Sequence, residues 1–126
     1  MNLRTPLKNV RHLGSAKEGS DHFWRQRVTA VANLLMMPIF VWLVVSLAGA
    51  DHATVKQTLQ NPLVAVFIML FVLSGIIHMR LGMQVIIEDY VHGEGMKVAL
   101  LMLNTFFAAA IGAACIFATM KLAFGS

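Results

Sequence analysis

Three long runs of residues, each almost free of charge, place the strongest constraint on how this chain can fold. The first run covers about 28–47, the second covers about 63–87 with Arg80 as its only charged residue, and the third covers about 98–120. Each run meets the requirement of about 20 apolar residues for a helix that crosses about 30 Å of hydrocarbon. The apolar residues are continuous and do not alternate as they do in the strands of membrane barrels. The sequence therefore predicts an all-α integral membrane protein with three transmembrane helices.

The composition favours a membrane protein over a compact soluble helical domain. Of the 126 residues, 58% are hydrophobic and only 13% are charged, whereas soluble domains average about 25% charged residues. A soluble domain of this length still exposes about a third of the surface of its unfolded chain and needs polar residues to cover it. The single cysteine, Cys115, excludes a thiolate metal cluster built by this chain alone.

The distribution of charge divides the chain into two predicted parts. Residues 1–24 form a polar cytoplasmic tail, and residues 25–122 form a three-helix membrane-anchor domain. Within that domain we expect helices at about 28–48, 63–88 and 97–121, joined by two polar connections.

Proline and glycine mark where these helices begin, bend and end. Asn61 and Pro62 predict the start of the second helix, because proline is tolerated in a first helical turn. Gly93 and Gly95 interrupt the helical pattern before the third span. Pro38 lies in the middle of the first span, where a kink is expected and where neighbouring helices can satisfy the freed carbonyl.

Basic residues are concentrated toward the N-terminus, where six of the ten lysines and arginines precede Val28. The positive-inside rule therefore places the N-terminus inside, and three spans leave the C-terminus outside. The net charge of +4 is explained by this rule, so we expect membrane lipid and no nucleic acid as a partner. We expect a multi-pass protein of the bacterial inner (cytoplasmic) membrane rather than of the mitochondrial inner membrane.

The segment 74–94 carries the ionisable groups that point to chemistry. His78 lies in the second span, and Asp89 follows eleven residues later, which is about three helical turns and returns to the same face. Gly75 and Gly82 flank the histidine on this face. One interpretation is a small-residue packing face with a histidine hydrogen-bonded across helices. The other is a haem ligand, with a glycine that leaves room for a flat macrocycle.

The inner boundary of the second span ends in an acid and a phenol, Asp89 and Tyr90. A phenol both donates and accepts hydrogen bonds, so Tyr90 could hold a quinone carbonyl beside a carboxylate. The alternatives are an interfacial aromatic anchor and a charge at a helix end. Arg27 begins the first span on the same side. It could pair with Asp89 or with a haem propionate, or simply extend to the membrane surface.

The pattern H-x3-G-x6-D-Y, formed by His78, Gly82, Asp89 and Tyr90, resembles a known family. It is similar to the small hydrophobic membrane-anchor subunit of succinate dehydrogenase (respiratory complex II). The basic entry HFWRQRVTAVA resembles the alphaproteobacterial and mitochondrial versions of that family. The resemblance covers about 21–120 and agrees with the plan of three helices.

The resemblance implies specific roles for five residues. His78 would be one axial ligand of haem b, with the other histidine on a second membrane anchor chain, the sister anchor, and Gly82 would pack against the haem. Tyr90 would hydrogen-bond a carbonyl of ubiquinone, with Asp89 beside it. Arg27 would lie near the haem propionates and the quinone pocket. Flavin and iron–sulfur clusters would belong to the flavoprotein and iron–sulfur partner subunits.

The function implied by the resemblance is that of a membrane anchor in succinate:ubiquinone oxidoreductase, within the tricarboxylic acid cycle and aerobic electron transport. The chain has no flavin or nucleotide motif, so we expect no catalysis by it alone. Two other interpretations are a haem-free structural anchor, in which His78 only packs, and a small transporter or channel component, which should show interrupted helices in related halves. The resemblance assigns no role to His22 or Arg80.

Overall fold

A computed structural model describes residues 6–10 and 18–125, and helices are the only regular structure in those ranges. The helices are α1 (Pro6–Val10), α2 (Glu18–Ser46), α3 (His52–Leu59), α4 (Pro62–Tyr90) and α5 (Glu94–Phe124). Three of them, α2, α4 and α5, are long and apolar enough to cross a membrane. The predicted all-α fold with three spans is confirmed.

The long helices extend beyond the apolar runs that predicted them. α2 begins at Glu18 rather than near residue 28, and α5 begins at Glu94 rather than near residue 97. A helix of 29 residues is about 43 Å long, so its ends project beyond about 30 Å of hydrocarbon. Polar residues can therefore continue the helix into the headgroup region. Part of the predicted tail, residues 1–5 and 11–17, lies outside the described residues.

Short capping signals organise the first connection, which the sequence indicated only as polar. It contains α3, whose N-cap Asp51 accepts a hydrogen bond from the Thr54 amide at 3.1 Å. Asn61 then accepts a hydrogen bond from the Leu63 amide at 3.0 Å, and Pro62 occupies the first turn of α4. The predicted start of the second helix at Asn61 and Pro62 is confirmed.

The helix α4 lies between α2 and α5 and packs against both, whereas α2 and α5 make no backbone contact with each other over the described residues. Phe40 of α2 stacks on Phe71 of α4 with ring centroids 4.5 Å apart. The helix α2 continues through Pro38, two residues before this stacked pair. The three spans thus form an open layer with α4 in the centre.

Little of the apolar surface is buried within the chain. In the most apolar window of each span, only 6% of α2, 6% of α4 and 11% of α5 is buried. An outward-facing apolar surface of this extent is stable only against lipid or other apolar protein surfaces. Helix packing, hydrogen bonds and lipid, rather than a water-excluded core, must therefore hold such spans together.

Small residues bring α4 and α5 close together. Ala108 is 2% exposed, and a Cβ added at Gly112 would lie 3.4 Å from Cγ2 of Ile76. One polar contact accompanies them, in which the Asn104 side-chain amide donates to the Arg80 carbonyl at 3.0 Å. These residues form the packing interface between α4 and α5.

Candidate functional site

A group of polar residues joins α2 to α4 at the level of His78. The Thr29 hydroxyl lies 3.2 Å from Nδ1 of His78, and the carbonyl of Gln26 lies 3.3 Å from the same nitrogen. One turn away, the Ser74 hydroxyl donates to the Thr29 carbonyl at 3.3 Å. Thr29 and Ser74 are buried and His78 is half-buried. We call Gln26, Thr29, Ser74 and His78 the polar seam.

The seam determines which nitrogen of His78 carries the proton. The Gln26 carbonyl can only accept a hydrogen bond. The Thr29 hydroxyl donates to the Arg25 carbonyl at 2.7 Å, so its oxygen is also free to accept. Both neighbours therefore favour a proton on Nδ1 of His78. In neutral imidazole the other nitrogen, Nε2, then has an unshared electron pair, and it has no hydrogen-bond partner among residues 6–10 and 18–125.

Open space borders His78 on the face of α4 that carries the two glycines. A Cβ built on Gly75 or on Gly82 would meet no atom within 4 Å. Both glycines lie within about one turn of His78 on an unbroken helix. A flat group held at Nε2 would therefore meet no side chain from either position. This observation fits a haem, as the sequence predicted for Gly82, and also leaves room for a second packed chain.

Asp89 lies on the same face of α4 as His78, because the helix continues without interruption to Tyr90. Asp89 and Tyr90 are both exposed, and Tyr90 retains 78% of its surface. The phenol forms one end of an apolar groove of about 510 Å³ between α4 and α5. Its other walls include Met83, Ile86 and Phe107. The acid and the phenol are thus available to groups outside this chain.

Arg27 is exposed, and its guanidinium lies over the Phe23 ring at 5.1 Å from the centroid. Within the part of the chain that the structure describes, the only ion pair joins Arg25 to Asp21 at 3.0 Å. A pair between Arg27 and Asp89, one of the options open from the sequence, therefore does not form within this chain. Arg27 remains accessible to an anion supplied by another group.

His22 lies on α2 nearer the membrane surface and borders a small pocket of about 270 Å³ with Gln84, Val85 and Glu88 of α4. Its Nε2 atom is buried without a partner among the described residues. The Gln84 side chain donates to the Glu88 carboxylate at 2.9 Å. His22 thus faces residues that follow His78 along α4, so it is displaced along the helix axis from the open face beside His78.

A metal ion held by side chains alone does not fit the described residues. They contain no group of three or more histidine, cysteine, aspartate or glutamate side chains that could surround an ion. A single histidine with one free nitrogen instead suits a metal whose other ligands come from a macrocycle or another chain.

Comparison with known proteins places the chain in a family. The family model for the succinate dehydrogenase/fumarate reductase transmembrane subunit matches residues 1–118. The chain belongs to this family. The resemblance inferred from the motif around His78 is therefore confirmed.

Individual members of this family align with most of the chain. A succinate dehydrogenase hydrophobic membrane anchor subunit from Paracoccus denitrificans is 32% identical over 126 residues, which covers 100% of this chain and 97% of the relative. The corresponding protein from Rickettsia bellii is 28% identical, covering 83% and 84% of the two chains. A succinate dehydrogenase membrane anchor subunit from Reclinomonas americana is 37% identical, covering 73% and 79%.

Sequence reasoning selected His78 for this succinate dehydrogenase anchor-family chain but missed the residues that orient it. Gln26 contacts His78 through its backbone carbonyl, and because every residue type has this group, the sequence does not reveal the contact. Thr29 and Ser74 are small polar residues of a kind that often serves helix packing. They lie on two different helices, so their contact with each other and with His78 can be recognised only when the register between α2 and α4 is known.

Proposed function

We propose that this chain is the anchor of a succinate:ubiquinone oxidoreductase that holds haem b through His78 and lends Tyr90 and Asp89 to the ubiquinone site. Family membership supports the anchor role. One observation carries the haem proposal, namely that the Gln26 carbonyl and the Thr29 hydroxyl engage Nδ1 of His78 and leave Nε2 free. Histidine ligands of metals commonly donate their second N–H to a carbonyl or carboxylate, which fixes the ring and raises its basicity.

The residues of α4 suit a flat, iron-bearing cofactor. Haem b, when bound, supplies a one-electron redox centre between the helices. His78 would hold the iron through Nε2, and Gly75 and Gly82 would leave space for the macrocycle. His22 is displaced toward Gln84 and Glu88, so the second axial histidine is proposed to come from the sister anchor.

Tyr90 and Asp89 would serve the ubiquinone at the membrane surface. The phenol of Tyr90 can donate to a quinone carbonyl, and its high exposure leaves it available for that bond. The apolar groove that begins at Tyr90 suits an amphiphile with a polar head and an isoprenoid tail. Reduction of ubiquinone to ubiquinol consumes two electrons and two protons. The Asp89 carboxylate, beside the phenol, would pass protons from water to the reduced oxygens.

The electrons would come from succinate through the flavin and iron–sulfur clusters of the two partner subunits. Those subunits would dock where α2 begins and α4 ends, which we call the Tyr90 end of the bundle. The concentration of basic residues before Val28 supports placing this end on the inner side of the bacterial cytoplasmic membrane. Arg27, exposed at the same end, would bind a haem propionate or the quinone pocket.

Substitution of His78 tests the haem proposal directly. In the purified heterotetramer, His78→Ala should abolish most of the b-type signal in the reduced-minus-oxidised absorption spectrum, because one axial ligand is lost. His52→Ala, at the opposite end of the bundle on α3, is the matched control and should retain the full signal. An unchanged haem spectrum in an assembled His78→Ala complex would instead support the haem-free structural anchor.

Removal of the Tyr90 hydroxyl tests the quinone proposal. Tyr90→Phe should lower kcat/KM for ubiquinone about five- to tenfold, because one hydrogen bond to the substrate is lost. Succinate oxidation with a soluble dye acceptor should not change, because the flavoprotein does not depend on this chain. Thr105→Val is a matched loss of one hydroxyl, since among the described residues Thr105 bonds only the Leu101 carbonyl of its own helix. Equal ubiquinone kinetics in Tyr90→Phe and Thr105→Val would contradict the proposed hydrogen bond.

A further inference from the structure

The only lysine or arginine of α4, Arg80, lines a cavity of about 500 Å³ between α2 and α4. The cavity also contains Arg25, the indole of Trp24, and Thr29 at its inner wall, together with aliphatic side chains. We call it the Arg80 cavity. Two arginines and a tryptophan lie here beside aliphatic side chains, and Arg80 belongs to the apolar run of α4, where arginine is costly.

The depth of these groups places the cavity near one membrane surface. Arg80 lies ten residues before Tyr90, which corresponds to about 15 Å along the helix. With about 6 Å of α4 projecting at each end, the Arg80 backbone lies only about 8–9 Å inside the hydrocarbon. Its long side chain can reach the headgroup level from there. Trp24, near the start of α2, lies close to that boundary, where tryptophan is favoured.

The two arginines differ in how their charge is balanced. Arg25 pairs with Asp21 at 3.0 Å, with both side chains largely exposed. Arg80 has no carboxylate within 4 Å in the part of the chain that the structure describes. Its hydrogen bond with α5 is made by its backbone carbonyl, which accepts from Asn104. Arg80 is exposed, so its guanidinium is available to an anion from outside this chain.

The position of Arg80 around the helix determines which anion can reach it. Arg80 follows His78 by two residues, which is a rotation of about 200° and places it on the other side of α4. Thr29 stands between them, because it contacts His78 and also lines the Arg80 cavity. A haem propionate on the side of α4 that carries Gly75 and Gly82 would thus lie on the opposite side of the helix from Arg80. The choice of lipid over propionate rests on the proposed ligation by His78.

We infer that the Arg80 cavity binds the phosphate headgroup of an anionic phospholipid from the leaflet at the Tyr90 end. The phosphate would accept from Arg80 and share Arg25 with Asp21, while the Trp24 indole and the aliphatic walls would hold the glycerol and the first acyl carbons. Basic pockets between transmembrane helices on the inner side are typical sites for such headgroups. Arginine suits them because its planar guanidinium can bind phosphate through two N–H groups.

Native mass spectrometry of the purified, delipidated heterotetramer tests this site. Phosphatidylglycerol and phosphatidylcholine are titrated into the complex, and bound lipid is counted. The wild type should retain phosphatidylglycerol in preference to phosphatidylcholine, and Arg80→Gln should weaken phosphatidylglycerol binding about fivefold. Arg80→Lys should lose less phosphatidylglycerol affinity than Arg80→Gln, because lysine keeps the positive charge. Asp21→Asn should bind phosphatidylglycerol more tightly than the wild type, because Arg25 then no longer pairs with Asp21.

Lys121→Gln, at the opposite end of the bundle on α5, removes one positive charge away from the cavity and should bind lipid as the wild type does. Equal phosphatidylglycerol affinity in Arg80→Gln and wild type overturns the proposal, as does equal binding of the two lipids. Loss of the b-type spectrum in Arg80→Gln would assign Arg80 to a propionate, and loss of the sister anchor from the purified complex would assign it to a partner carboxylate. Failure of haem ligation by His78 would appear in the spectrum of His78→Ala and not in the lipid titration.

Discussion

The two faces of α4 differ in the contacts they make. Toward α2 it presents the polar seam, in which hydroxyls and a carbonyl hold His78 in one orientation. Toward α5 it presents the packing interface, where Gly112 and Ala108 admit close approach and Asn104 makes a single polar contact. Interhelical hydrogen bonds in membranes average only about 0.6 kcal/mol. The seam therefore contributes little to joining α2 and α4, and under the haem proposal its main effect is to orient the imidazole of His78.

The largest expected contrast comes from filling a glycine on each face. A Cβ at position 82 meets no atom of the described residues within 4 Å, so in Gly82→Leu we expect the helices to pack as before but the haem signal of the heterotetramer to be largely lost. Gly112→Leu drives a side chain against Ile76 and should destabilise the α4–α5 pair by about 1–3 kcal/mol. Absorption spectra and thermal unfolding of the complex measure the two effects. Full haem content in Gly82→Leu would show that the open face serves something other than the macrocycle.

A smaller effect separates a hydroxyl in the seam from one outside it. Thr29→Val removes a partner of His78 Nδ1 but leaves the Gln26 carbonyl, so haem should be retained with a higher midpoint potential, because the imidazole becomes a weaker electron donor. The α2–α4 pair should lose about 0.6–1.7 kcal/mol. Thr119→Val is the buried control, since the Thr119 hydroxyl, within the ranges that the structure describes, bonds only the Cys115 carbonyl of its own helix. Redox titration should give a higher midpoint potential for Thr29→Val than for Thr119→Val. An identical potential in the two variants would show that Thr29 does not position His78.

The smallest effect lies outside both faces, at the N-cap of α3. Two hydrogen bonds from Thr54 lower the pKa of Asp51 below its ordinary 3.8. The larger effect comes from the Thr54 side chain and the smaller from its backbone amide. A lowered pKa in the folded state means that the cap stabilises α3 fully above pH 3.8 and loses this effect as the pH falls through the folded value. The polar seam should be insensitive to this titration.

NMR of the Thr54 amide in detergent micelles measures the Asp51 titration. The amide should shift with a midpoint below 3.8, and in Asp51→Asn, which retains a capping oxygen but does not titrate, it should stay constant. A midpoint above 3.8 would contradict the capping geometry. A parallel change in the His78 ring signals would show that α3 and the polar seam are coupled.

Much of the fold was predictable because membrane spans depend on local composition. The three apolar runs predicted α2, α4 and α5, and Asn61 with Pro62 predicted where α4 begins. The early start of α2 was not predicted, because a length rule for hydrocarbon says nothing about helix that continues into the headgroups. α3 was also missed, although Asp51 three residues before Thr54 is a recognisable capping signal.

The candidate site was predictable only in part. His78, Gly82, Asp89 and Tyr90 share one helix, so their spacing placed them before any tertiary contact was known. Their proposed roles with haem and ubiquinone stay predictions that the variants above test. The pairing of Arg27 with Asp89 that the sequence left open does not occur within the chain, because pairing across helices depends on side-chain direction and not on a shared membrane side.

The sequence by itself determined that this chain spans a membrane three times and that His78, two glycines and an acid share one face of α4. Both conclusions rest on helical periodicity and on the cost of placing charge in hydrocarbon, which are local properties. Only the tertiary structure decided that Nδ1 of His78 faces the Gln26 carbonyl and that Arg80 meets Trp24 and Arg25 in one cavity. Those contacts depend on the register and rotation of α2 against α4, which the packing of whole helices sets and no single residue encodes.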